Sequence, residues 1–268
     1  MNITKRNNQK FHKMINNKRV VICGPAPYLN NMKNGKNIDN YDTVVRVNRG
    51  HNLTKNPQIF GNRTDILYHC LSENKENGGK ITNDMYNHFK LIVSAFPRLS
   101  PKDRTSFPKG NIQQFRNFKQ KFKNKLSVIG KHFYLNLEKK IGCRPNTGII
   151  AILHILRHNP KELYLTGFTF FKDGYSSLYR NSIDGKKITE KNSNKAVIKR
   201  MANCNFKGRH NQFLMFRHLR NIISKKIKNI KLDEELIKIL SFNLQEYKIK
   251  HKLNGKTNEQ VFNHYLLH

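Results

Sequence analysis

The chain has 268 residues, 37% of them hydrophobic, and carries 51 Lys+Arg against 17 Asp+Glu, a formal net charge of +34. It is long enough for one domain with its own core. It holds no apolar run of about 18 residues, which excludes a transmembrane helix, and no apolar stretch behind its basic N-terminus, which excludes a signal peptide.

A cytoplasmic location is therefore expected, with no membrane association encoded by a spanning segment. The basic balance calls for anionic ligands, but the lysines are spread along the whole sequence rather than gathered in one helix or tail, so a dedicated nucleic-acid partner is not expected. The abundance of Lys, Asn and Ile is what an AT-rich coding sequence produces. Cys23, Cys70, Cys143 and Cys204 form neither a CxxC pair nor a Cys/His cluster of zinc spacing and are expected to be reduced.

Residues 1–17 read as a flexible basic tail, and 18–244 as the folded domain. Lys18–Cys23 is a first strand, with Gly24, Pro25 and Ala26 in the turn after it, the way a mononucleotide-binding fold begins. A second strand, Thr43–Val47, ends at Asn48; Arg46 inside it either points outward or pairs with Asn48 at the sheet edge. Ile66–Cys70 is a third strand with His69 near its end as a candidate ligand contact, and Phe89–Ser94 a fourth. Ile112, Phe115, Phe118 and Phe122 mark an amphipathic helix over 111–125. A strand at 126–129 and a helix at 131–141 follow.

Residues 144–171 form the central unit. Arg144–Gly148 is a turn, and Ile149, Ile150, Leu153 and Leu156 recur at helical spacing. Asn159-Pro160 stops that helix, and Leu163–Thr166 is a buried strand closed by Gly167. The segment 172–209 lacks periodicity and reads as a mobile lid. His210 stands before a helix marked by Phe213, Leu214, Phe216 and Leu219. A last strand and helix cover 229–242, and 245–268 is a basic tail with room for a short terminal helix. The alternation predicts an α/β fold: a single-domain, Rossmann-like, mostly parallel sheet with helices on both faces. The turns at 24–27, 48–50, 69–72, 144–148 and 167–171 should meet at the carboxyl ends of the strands.

With those turns in place, the sequence resembles the sialyltransferases, glycosyltransferase family 29, and in its compactness the small bacterial sialyltransferases of family 42. VVICGPAPYL followed by NYDTVVRVNRG is similar to the large sialyl motif. RPNTGIIAILHILRHNPKELYLTGFTFF is similar to the small motif, and His210 stands where the very small motif has its histidine. The resemblance implies a variant GT-A fold, a CMP-sialic acid donor or a related CMP-activated keto-sugar acid, and a galactose-type hydroxyl on a glycan as acceptor. It also implies inversion at the anomeric carbon, with no metal and no other cofactor. Carried over by position, Gly24, Pro25, Ala26 and Asn48 would meet the donor. Asn146, Thr147 and Gly148 would hold CMP with Gly167 close by, and His210 would be the catalytic base. The chain departs from the pattern in four places. Pro25 replaces a common Asn, and Met215 stands where a Glu follows the histidine. Phe171 lies near the tyrosine that bacterial relatives use on the phosphate, which leaves Tyr175 and Tyr179 as substitutes. Val20 and Asn159 occupy the positions of the animal enzymes' disulfide.

The residues can support this chemistry. No Asp-x-Asp pair occurs, so the phosphate must be met by the helix start at Thr147 and Gly148 and by hydroxyls. An imidazole, titrating ordinarily near 6.5, suits removal of the acceptor's proton. His12, His51, His88, His132 and His251 read as surface residues. Two other readings are open: a nucleic-acid-binding basic protein, and a CMP-sugar-binding protein without catalysis, which Pro25 and Met215 suggest.

Overall fold

The computed structural model describes residues 3–74, 77–103, 105, 109–183, 186–189, 193–198, 210–225 and 228–268. Among them, seven parallel strands form one sheet: β1 (Arg19–Cys23), β2 (Thr43–Val47), β3 (Ile66–His69), β4 (Leu91–Ser94), β5 (Leu126–Val128), β6 (Glu162–Thr166) and β9 (Ile230–Leu232), in the order β5-β4-β3-β2-β1-β6-β9. A separate antiparallel pair joins β7 (Ser182–Ile183) to β8 (Lys186–Lys187). Successive strands step outward from β1 to β5, and the chain then returns to add β6 on the other side of β1. The order reverses there, so the crevice between the β1 and β6 loops is the topological switch point.

Both faces of the sheet are covered, as alternation in the strands shows. Val20 and Ile22 of β1 belong to the main apolar core, whereas Val21 and Cys23, one residue over, pack with Ile38, Tyr41 and Val44 on the opposite face. The helix α7 (Thr147–Leu156) is buried from Ile149 through Ile155, which explains why its apolar residues run all round rather than along one stripe. It ends at Arg157, before Asn159 in the left-handed region and Pro160.

Both terminal segments correct the sequence reading. The basic N-terminal tail is α1 (Ile3–Ile15), which buries Asn7, Phe11 and Ile15 on one face while its lysines stay outside. Its Asn7 Nδ2 donates to the Leu126 carbonyl at 3.0 Å, tying the helix to edge strand β5. The C-terminal tail is α11 (Leu244–Lys250) and α12 (Asn258–Leu267), the latter opened by a Thr257–Gln260 capping box. Phe262 of α12 stacks on Phe216 of α9 (Gln212–Ser224) at 4.4 Å, so this end belongs to the main core. Three short helices also went unread: α2 (Gly35–Asp39), α3 (Pro57–Phe60) and α4 (Asn83–His88). The predicted helices at 111–125, 131–141 and 233–242 are α5 (Ile112–Phe122), α6 (Lys131–Ile141) and α10 (Glu234–Leu240).

The segment 172–209, read as a lid, is ordered where it is described. Tyr175, Tyr179, Ile183, Ile188 and Val197, the last in α8 (193–198), pack with Leu29, Leu53 and Phe60 as a small core of their own. The remainder of that segment, 184–185, 190–192 and 199–209, lies outside the described residues.

Candidate active site

At the switch point the β1 and β6 loops touch through two glycines. A Cβ on Gly24 would lie 2.1 Å from the Gly167 carbonyl oxygen, and one on Gly167, whose φ is +77°, would lie 2.7 Å from that of Gly24. Only glycine allows this approach at both positions. Asp233 fixes the β6 end from behind: its carboxylate accepts from Gly167 N at 2.9 Å and from the Tyr28 hydroxyl, and it also caps α10 through Leu236 N at 2.8 Å. Burial and the neighbouring Asp233 charge push the Tyr28 pKa far up, so its hydroxyl keeps its proton.

Asn48 joins three elements at the end of β2. Its Oδ1 accepts from Cys70 N at 3.0 Å and its Nδ2 donates to Thr147 Oγ1 at 3.3 Å. Asn48 is left-handed, with φ 50°, a conformation Asn tolerates better than most residues. Asn146 caps α7 by accepting from Ile149 N at 2.9 Å, leaving the first-turn N–H groups and the Thr147 hydroxyl proton directed at the crevice. Gly148 makes room for Phe168, since a Cβ there would come within 2.9 Å of its ring.

Opposite stands an aromatic wall, Phe168, Phe170, Phe171, Tyr175 and Tyr179. Phe170 and Phe171 both have positive φ, 50° and 71°, a conformation costly for bulky side chains and concentrated at functional sites. Tyr175 stacks on Tyr179 at 5.1 Å. Burial raises the Tyr179 pKa while a hydrogen bond with Asn48 pulls it down, so the phenol stays a donor. Pro25 has no amide to offer, but its carbonyl accepts from Ser176 N at 2.8 Å and anchors this wall over the β1 loop.

Together these groups line a cleft of about 100 Å³. Of the residues named from sequence, Pro25, Ala26, Asn48, Asn146, Thr147, Gly148, Gly167, Tyr175 and Tyr179 line it. Among the described residues, the lining contains no acidic, basic or histidine side chain. Among the described residues, no group of three or more His, Cys, Asp or Glu is placed to hold a metal ion.

His210 is not in the lining but stands beside it. Its backbone N–H and its Nδ1 both bond the Arg144 carbonyl at 3.0 Å, two residues before Asn146. A carbonyl only accepts, so this contact puts the ring proton on Nδ1 and the lone pair on Nε2. Gln212, two residues on, lines the cleft and donates Nε2 to the His210 carbonyl at 2.7 Å. Its Oε1 is buried and has no hydrogen-bond partner among the described residues. Met215, where the sequence comparison expects Glu, is fully buried and its Sδ accepts from Asn146 N at 3.4 Å.

Two candidates fall elsewhere. His69 is fully buried on the far side of β3, stacked on Phe118 at 5.0 Å with Nε2 bonded to the Gly79 carbonyl at 3.0 Å. Burial lowers its pKa to about 4, so it is a neutral core imidazole and not a ligand contact. Gly24 packs behind the lining rather than in it. Arg46 neither points outward nor pairs with Asn48: it is fully buried and donates to the carbonyls of Phe60 and Arg63. His51, read as a surface residue, has both ring nitrogens buried, and burial lowers its pKa to about 4. Sequence reasoning missed Gln212, whose signal is a single unpartnered atom. It also missed the Asp233–Tyr28 support, which joins residues far apart in the chain.

A parallel sheet with hydroxyl, amide and aromatic groups gathered where strand order reverses is the plan of nucleotide-binding α/β proteins. Residues 2–204 match glycosyltransferase family 29 (sialyltransferase), and the chain belongs to that family and is a glycosyltransferase. Among solved structures it is similar to the sialyltransferase CstII from Campylobacter jejuni in complex with a substrate analogue, CMP-3FNeuAc. That match has a TM-score of 0.50 at 17% identity over 82% of this chain and 88% of that one, and shows the shared fold. It is also similar to a mammalian sialyltransferase in complex with Gal-beta-1-3GalNAc-ortho-nitrophenol (TM-score 0.47, 16% identity, 86% and 78% covered). The monofunctional alpha-2,3-sialyltransferase Cst-I from Campylobacter jejuni gives 0.49 and 16% over 84% and 78%. No curated protein matches the sequence. Among the described residues no helix is long and apolar enough to cross a membrane.

Proposed function

We propose that the enzyme transfers sialic acid, or a related keto-sugar acid, from a CMP-activated donor to a glycan hydroxyl, with inversion and without a metal. The observation that carries this is the cleft's uncharged lining, with Asn48 and Thr147 bonded together at the start of α7. A CMP-sugar holds a single phosphodiester charge. A helix N-terminus, equivalent to roughly half a unit charge, together with hydroxyl donors suffices for that, whereas a diphosphate calls for a cation. Sialyltransferases solved with CMP or a CMP-sugar analogue share the fold.

In the proposed step the acceptor oxygen attacks the anomeric carbon while its proton passes to His210 Nε2. The bond from that carbon to the CMP phosphate oxygen breaks, and the electron pair stays on CMP. The first-turn N–H groups of α7, the Thr147 hydroxyl and the Tyr175 and Tyr179 phenols take up the phosphate charge. The tautomer fixed by the Arg144 carbonyl is the one a base requires.

The test is purified protein in EDTA with labelled CMP-sialic acid and a panel of galactose-terminated acceptors. Transfer is expected. Absence of both transfer and CMP release refutes the proposal, and transfer seen only when divalent metal is restored refutes its metal-free part. His210→Ala should lower kcat by about 10² to 10⁴-fold with CMP affinity unchanged. Loss of CMP binding in that variant would remove His210 from the role of base.

A further inference from the structure

A second cavity, of about 370 Å³, lies between α1, the last turn of α7 and the start of α6. Its lining includes Phe11, Gly130, Phe133, His154, Arg157 and His158, and no acidic residue. The cleft is at the other end of α7, so the two are separated by roughly 10 Å of helix axis.

His154 is the unusual group. It is 8% exposed, stacked on Phe11 at 4.9 Å, and its Nδ1 lies 2.8 Å from the hydroxyl of fully buried Tyr68. If the imidazole donated in that pair, the phenol proton would be buried without an acceptor, at a cost of about 1–3 kcal/mol. The hydroxyl therefore donates, and the ring proton sits on Nε2. That N–H has no acceptor among the described residues, and the ring borders the cavity.

The fixed positive charge beside it is that of Arg157. The Arg157 guanidinium lies over the Phe133 ring at 4.9 Å, and the His158 ring meets His154 at 4.9 Å. His12 Nδ1 is 3.2 Å from His158 Nδ1, so these two rings share one proton between those atoms. Besides burial, the charges that act on His154 and His158 come from Arg157 and other histidines, with no carboxylate among them. At the cavity edge α6 begins at Gly130, which offers no side-chain cap, so the first-turn N–H groups of an eleven-residue helix remain as donors.

We propose that this cavity binds a phosphate or sulfate ester, its oxyanion on Arg157, His154 Nε2–H and the first turn of α6, and its organic body against Phe11 and Phe133. Arg157, the His154 Nε2–H and the first turn of α6 supply donors to the cavity, and the aromatic walls leave space beyond a bare oxyanion. The assignment is independent of the reaction at the cleft.

The test uses the full chain with phenyl phosphate, phenyl sulfate and inorganic phosphate, followed by calorimetry and the histidine ring NMR signals. Phenyl phosphate or phenyl sulfate should shift the His154 and His158 signals saturably, and inorganic phosphate should bind more weakly. Arg157→Gln should weaken binding by roughly tenfold or more. Gly130→Asp is the decisive variant: a Cβ there meets only Phe133 Cβ at 4.0 Å, and the Gly130 φ of −63° suits any residue. Its carboxylate should cap α6, leave Tm equal or higher, leave CMP binding unchanged and abolish ester binding. No saturable shift up to about 10 mM, or unchanged binding in Gly130→Asp, overturns the site. Inorganic phosphate binding as tightly as the esters overturns the role of the aromatic walls.

Discussion

Asn48→Asp separates what Asn48 does for the fold from what it does for the ligand. Aspartate has nearly the same shape and tolerates the left-handed backbone, and its oxygen can still accept from Cys70 N. What changes is the donating side: the Asn48 amide donates to Thr147 Oγ1 at 3.3 Å and bonds Tyr179, and a carboxylate can only accept there. Thr147 must then turn its hydroxyl proton toward residue 48, away from the cleft, which removes one phosphate donor worth about 1 kcal/mol. The new charge adds repulsion: two unit charges about 6 Å apart at an effective dielectric near 20 interact by about 3 kcal/mol, and by about half that with solvent in the open cleft. Together the two effects weaken CMP binding by about 2–4 kcal/mol, or roughly 30- to 1,000-fold. Calorimetric titration with CMP at neutral pH reads this directly, with urea denaturation as the control for folding. Asn48→Ala should do the reverse, costing about 2–3 kcal/mol of stability through the unpaired Cys70 amide while weakening CMP by less than tenfold. If Asn48→Asp binds CMP as the wild type does, the Asn48–Thr147 pair is not at the phosphate and the donor orientation is wrong.

Gln212→Leu removes the amide that holds the His210 carbonyl and also removes a buried oxygen without a partner, so thermal stability should change little. Its kcat for transfer should nonetheless fall by roughly tenfold or more, with KM for the donor less affected, since the loss acts through the placement of His210; an unchanged kcat would show that the bond does not position the base. Stability should also depend on acid. Burial keeps His51 and His69 at about 4 and His154 at about 3, below the unfolded imidazole value near 6.5, so the unfolded chain binds more protons in this window. Stability present above about pH 6.5 should be lost as pH falls toward 4, by on the order of 2–3 kcal/mol from His69 alone. Urea midpoints flat between pH 6.5 and 4.5 would contradict this.

The sheet was legible because its strands are short apolar runs bounded by Gly, Asn or Asp, and α7 because Ile and Leu fill it between Asn146 and Asn159. The terminal helices were hidden by composition. In α1 only Phe11 and Ile15 stand out among lysines and asparagines, and the partner that makes them core, β5, is more than 100 residues away. The segment after Gly167 shows no period because it builds its core from isolated tyrosines and isoleucines on turns rather than from one amphipathic face. The sequence also could not say which way His69 points. A strand buried on both faces carries no alternation, so neither side is marked as the one facing the ligand. Asn48 and Thr147 were found through the resemblance, whereas Gln212 becomes visible only when a hydrogen-bond count leaves its oxygen unmatched.

A chain with a formal charge of +34 surrounds a cleft whose lining, among the described residues, has no charged side chain, and the two facts suit one another. A lysine about 4 Å from the phosphate would contribute about 4 kcal/mol at an effective dielectric near 20. It would do so for the CMP product at least as strongly as for the donor, because CMP gains negative charge when the glycosyl bond breaks. Binding of that kind slows product release without lowering the chemical barrier. Hydroxyls and helix N–H groups are weaker and directional, so they can favour the geometry in which charge develops on the leaving oxygen over the geometry of the resting donor. The distant lysines act at longer range. Their field draws an anionic donor toward the protein and fades with salt over a Debye length of about 8 Å at physiological ionic strength. Attraction from afar and easy release at the site therefore come from different residues, and raising ionic strength should slow donor association more than it slows CMP departure.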